Sequence, residues 1–92
     1  MRTIQRFDLA IGTNNIPIPS SSAVLCVQML REIPRLFALV DSGQPRDGMC
    51  VVLVRTGADV NRDLSQLEPR YIGSCFGAND EFHAFVRAPS PF

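Results

Sequence analysis

The 92-residue chain has no tryptophan, no lysine, one tyrosine and one histidine, and its charges cancel at neutral pH. Each absence narrows the functions open to it. Zero net charge excludes a strong overall field steering it to long nucleic acid, so any anion site must be local. No apolar run approaches the roughly 20 residues that span a bilayer, and Met1-Arg2-Thr3 leads straight into an alternating segment instead of a signal-peptide core. The expectation is a cytosolic protein with no membrane partner. Cys26, Cys50 and Cys75 are odd in number, widely spaced and without CxxC, which reads as small buried hydrophobes instead of a disulfide framework or zinc site. No cofactor or metal is expected. All nine basic residues are arginine. Codon use in a GC-rich genome accounts for that without function, yet arginine is also the better planar, bidentate phosphate and stacking group, and both readings stay open.

What is present is the pattern of strands and tight turns. Gln5 to Ile11 alternates, with Phe7, Leu9 and Ile11 on one face and Arg6, Asp8 and Ala10 on the other. Gly12-Thr13-Asn14-Asn15 reads as a turn. Ile16-Pro17-Ile18-Pro19 reads as an edge or irregular extended piece, because each proline removes a ladder donor. The chain from Ala23 to Asp41, which contains the stretch Cys26 to Asp41, could begin as an amphipathic helix over AVLCVQMLREI, but Pro34 would end it by Ile33 after barely three turns. It reads instead as two strands meeting at Arg31-Glu32, with Val24, Cys26 and Gln28 facing one way and Leu25, Val27 and Met29 the other. Asp41 to Gly48 is a surface loop of turn formers. Met49 to Arg55 is a continuous apolar run, the mark of a central strand covered on both faces. A polar connection from Ala58 to Arg70 has room for one helical turn capped by Asp63. Tyr71 to Phe76 and Glu81 to Arg87 form a final hairpin through Gly77-Ala78-Asn79-Asp80. The sum is one all-β domain over residues 1–88, a small antiparallel sandwich or partly closed barrel of about six to seven strands with at most one short helix. Residues 89–92 form a short proline-containing tail.

No catalytic motif is evident. His83 shares a strand face with Phe85 and Arg87, and nothing in the spacing brings a cysteine to it. Arg55-Thr56-Gly57 has a bland reading as a strand terminator and a functional one as an anion corner, in which the arginine fork and exposed N–H groups hold a phosphate. Tyr71 and Phe37 are stacking platforms or core aromatics, and Gln28 is a base-reading amide or a backbone-satisfied one.

The ordered blocks RTIQRFDL, NIPIP, CVQMLREIPRLFALVD, VLVRTGADV, YIGSCF and EFHAFVR resemble, over nearly the whole chain, a family of very short phage and prophage proteins. In similar sequences the turn at Arg31-Glu32 is often Asn-Gly, and Phe37 is usually tryptophan. Proteins of this style look similar to viral sponges that sequester the cyclic nucleotide signals of bacterial anti-phage defence, particularly of CBASS, and the resemblance implies a non-enzymatic binder acting in the host bacterial cytoplasm.

The implied ligand is a cyclic di- or trinucleotide held in a homo-oligomer, dimer or tetramer, with pockets between protomers. Its bases are expected against Tyr71 or Phe37, and its phosphates on Arg55, Thr56 and Gly57. Gln28, His83 and Arg87 would supply further contacts. Two other classes compete. A phage structural or assembly adaptor would use the strands for protein contacts, and an enzyme degrading a nucleotide signal would depend on His83.

Overall fold

The computed structural model describes residues 1–58 and 70–87, the Arg87 side chain excepted. Among the described residues seven antiparallel strands form two sheets: β1 (Arg2–Asp8), β2 (Gly12–Ile16), β3 (Ala23–Leu30), β4 (Ile33–Asp41), β5 (Met49–Arg55), β6 (Arg70–Phe76) and β7 (Glu81–Arg87). Sheet A has the order β1-β4-β3, and sheet B the order β2-β5-β7-β6. The two share no ladder and come closest where β3 runs beside β6. The shortest principal axis is 15 Å, which fits two twisted layers about 10 Å apart. This is a small β sandwich, and the described residues contain no helix. The helical turn expected at Asp63 and the 89–92 tail lie outside the described residues.

Alternation decides which side chains meet between the sheets. Leu36, Ala38 and Val40 of β4, Val51 and Leu53 of β5 and Phe82 and Ala84 of β7 form the core with Leu9, Ile18, Val27 and Cys75. β5 is central in sheet B, and Val52 and Val54 on its other face are also buried. The apolar run Met49 to Val54 therefore means what it was expected to mean.

Three expectations are corrected. Gly12 to Asn15 is not a turn but most of edge strand β2, paired with Leu53 to Cys50. The bend precedes it, where Asn14 accepts from Ala10 N–H (2.8 Å) and donates to the Ala10 carbonyl (2.8 Å). β1 accordingly stops at Asp8, and Ile11, assigned to the buried face, is 60% exposed. In β3 the register shifts between Val24 and Cys26, a bulge that spends one residue without changing face. Val24 therefore joins Val27 and Met29 against the core, while Leu25 stands out half exposed.

The β3-β4 hairpin turns at Arg31-Glu32, between the paired residues Leu30 and Ile33. Both turn residues have left-handed φ, 52° and 63°. A two-residue hairpin needs this mirror-image turn to match the strand twist, and Asn-Gly adopts it with least strain.

Two surface carboxylates tie loops down. Asp47 accepts from Ser20 Oγ (2.6 Å) and Ser20 N–H (2.7 Å), which hold its carboxyl below the ordinary 3.8. Asp41 is lowered chiefly by the Gly43 N–H (2.9 Å). A folded value below the unfolded one means that the carboxylate stabilises the fold fully above the unfolded value and ceases to as pH falls through the folded value. Urea midpoints should hold steady from neutral pH to about pH 4.5 and decline below about pH 4. Asp47→Asn should make that decline shallower.

Candidate functional site

Two polar clusters occupy the outer faces of the sandwich, one on each sheet. On sheet B, β6 and β7 pair Ser74 with His83 and Tyr71 with Phe85. Tyr71 and Ser74 are three apart and would point oppositely in a regular strand. The register shift between Tyr71 and Gly73 corrects this, packing Ile72 against the core and turning Tyr71 outward beside Ser74. Tyr71 then lies edge-on to Phe85, with ring centroids 5.3 Å apart.

These side chains form a continuous hydrogen-bonded chain whose direction is set by its charged end. Glu81 as a carboxylate can only accept, so Thr56 Oγ1 donates to Glu81 Oε1 (2.9 Å). Thr56 Oγ1 then accepts from His83 Nε2–H (2.7 Å), so in the neutral imidazole Nδ1 is the bare nitrogen. His83 Nδ1 accepts from the Ser74 hydroxyl (3.0 Å), and Ser74 Oγ accepts from the Tyr71 hydroxyl. Four hydroxyl or imidazole protons all point toward one carboxylate.

Beside this chain a cleft of about 390 Å³ opens between Arg55, Thr56 and the turn Phe76 to Glu81. Arg55 lies over the Phe82 ring, 5.7 Å from its centroid, and its Nε is 3.2 Å from Asp80 Oδ1. With Glu81 also lining the cleft, the expected anion corner holds two carboxylates against one arginine, and a phosphate there must compete with Asp80. Gly57 follows at φ 89° with open space where a Cβ would go. Gly57→Ala should therefore cost only the left-handed backbone penalty, about 1 kcal/mol, read as a lower urea midpoint.

On sheet A the outer face carries a different chemistry. Phe37 faces away from the core, paired with Arg6 on one side and Cys26 on the other, and Gln28 is opposite Arg35. Arg6, Arg31 and Arg35 line a cavity of about 380 Å³ with Leu30. Among the described residues Arg6 and Arg31 make no ion pair. Arg35 Nε is 3.2 Å from Asp8 Oδ1, yet the approach is too poorly aligned to be a hydrogen bond, and that buried nitrogen has no partner among the described residues. The Arg35 side chain is only 15% exposed, so its charge is held under a partly dry surface with the exposed Asp8 carboxylate beside it.

The eight residues singled out in the sequence thus divide. Arg55, Thr56, Gly57, Tyr71 and His83 gather on and beside the outer face of sheet B, whereas Gln28 and Phe37 lie on the outer face of sheet A. The Arg87 side chain lies outside the described residues. Sequence reading missed Ser74, Glu81, Arg6, Arg31 and Arg35. Arg35 and Phe37 are two apart on one strand and so share a face, a signal available from alternation. Cys75 belongs to the core, where burial pushes its thiol up and keeps it unreactive, while Cys26 and Cys50 are half-buried on the outer faces and also free. No group of three or more His, Cys, Asp or Glu able to hold a metal occurs among the described residues, nor is any helix there long and apolar enough to cross a membrane. No protein-family model, curated protein or solved structure gives a significant match to this chain.

Proposed function

We propose that this protein is a phage-encoded sponge that binds a cyclic oligonucleotide signal of CBASS-type anti-phage defence and holds it without cleaving it. One observation carries the reading: three arginines converge on one cavity, and the only carboxylate paired with any of them among the described residues is Asp8, beside Arg35. The arginine fork is the side chain that pairs best with a phosphate, and Arg6 and Arg31 make no ion pair among the described residues. Phe37, in register with Arg6, offers a ring to a base, and Gln28, opposite Arg35, offers an amide to a base edge. This moves the phosphate contacts from the Arg55 corner to Arg6, Arg31 and Arg35.

Ile4, 65% exposed, is paired with Leu39 on the same face, and Leu25 nearby is 50% exposed. A second copy covering these residues would enclose the ligand between protomers, so the sponge acts as a symmetric oligomer in the host bacterial cytoplasm. Light scattering should give a mass above the 10.2 kDa of one chain. The ligand itself is sought by denaturing the protein, purified from cells making such signals, and weighing what is released. An intact cyclic oligonucleotide is expected. Hydrolysed products alone, or virion proteins in place of a nucleotide, would replace this reading with the enzyme or the assembly adaptor.

A further inference from the structure

The chain Tyr71–Ser74–His83–Thr56–Glu81 has no part in anion binding on sheet A, and it has the elements of an activated nucleophile. A hydroxyl donates to the bare nitrogen of an imidazole. The other nitrogen is held by a hydroxyl that is itself fixed by a carboxylate. That is the nucleophile, base and orienter order of hydroxyl-based covalent catalysis, with Thr56 interposed before the acid. The bulge at Ile72 is part of the same arrangement, because it breaks the strand's period where that aims Tyr71 at Ser74.

We propose that Ser74 is a reactive serine toward neutral carboxylic esters, with His83 as its base. Ser74 Oγ attacks the ester carbonyl as its proton passes to His83 Nδ1, and the developing oxyanion faces the Tyr71 hydroxyl. Collapse breaks the bond to the leaving alkoxide, which takes the proton from His83, and an acyl-serine remains. Water, deprotonated by His83, then attacks the acyl carbon. The carboxylic acid departs, and Ser74 regains a proton. No oxidant or metal enters the sequence. A neutral acyl group is favoured over a phosphate because the site faces the Glu81 carboxylate and the apolar Phe85 and Val54, which are in register with Tyr71 and His83. Thr56 and Glu81 are positioning residues that keep Nδ1 bare. The activity stands apart from sequestration, on the opposite outer face.

The test is reaction of the native protein with diisopropyl fluorophosphate, read by intact mass and peptide mapping, beside hydrolysis of p-nitrophenyl acetate. One adduct on Ser74 is expected, formed with loss of fluoride. His83→Gln should slow both reactions by about a hundredfold or more. Thr56→Val, at an exposed site, should slow them by about tenfold, and Thr56→Ser should restore them. A native protein that takes up no label, or carries it on Tyr71 in place of Ser74, overturns the proposal. So does a folded His83→Gln variant that labels at the native rate.

Discussion

Arg35→Gln should weaken cyclic oligonucleotide binding by about a hundredfold, equivalent to about 2.7 kcal/mol, while the variant still folds. The size follows from where Arg35 sits. At 15% exposure its guanidinium is poorly hydrated, so its contact with a phosphate is strong, and the shortened neutral amide cannot replace a forked cation. Arg6→Gln should cost less, about tenfold, because Arg6 is exposed and its contact is screened by salt. Asp8→Asn should act the opposite way. It removes the carboxylate beside Arg35 and should tighten binding. Calorimetric titration of the three variants against the parent protein checks the order, and equal affinities throughout would remove the sheet A cavity from the mechanism.

The Arg31-Glu32 turn should respond to substitution in two ways at once. Both residues stand at left-handed φ, where an ordinary side chain costs about 1–2 kcal/mol, whereas Asn tolerates that region and Gly fits it freely. Arg31→Asn with Glu32→Gly should raise stability by about 1–2 kcal/mol, after allowing for the entropy that Gly adds to the unfolded chain. For a chain of this size the melting temperature should rise by about 5–10 °C. Glu32 gives up little, since its carboxylate meets the Ala78 N–H at only 3.4 Å. The single variants separate fold from function. Glu32→Gly should stabilise and leave affinity unchanged. Arg31→Asn should stabilise and lose about tenfold in affinity, since its side chain lines the cavity. A strained cation kept where a relaxed turn would serve is the trade of stability for binding expected of a site residue.

Most of the fold was legible because strands announce themselves by period and by what ends them. Pro34 ruled out a long helix, the apolar run in β5 marked the centre of sheet B, and the Arg31-Glu32 and Gly77 to Asp80 turns fell where the chain reverses. The failures were local. Gly12 to Asn15 has turn composition but forms an edge strand, because the Asn14 side chain satisfies the bend just before it. The bulges at Leu25 and Ile72 shift a period of two by one residue; VLCVQ gives no sign of the first, and only Gly73, a lone glycine within a strand, hints at the second. That is why Tyr71 and His83 could be chosen separately while the Ser74 that links them was overlooked. The sheet A cavity was half visible. Alternation alone puts Arg35 with Phe37, but bringing Arg6 beside them requires knowing that β1 pairs with β4, a contact set by folding over some 30 residues of intervening chain.

The most direct test of sequestration is isothermal titration of the purified protein with a panel of cyclic di- and trinucleotides. Saturable heat with at least one of them, at a dissociation constant of about nanomolar and with the ligand recovered intact, is the predicted result. No heat with any member of the panel, at protein concentrations high enough to register micromolar binding, would contradict it.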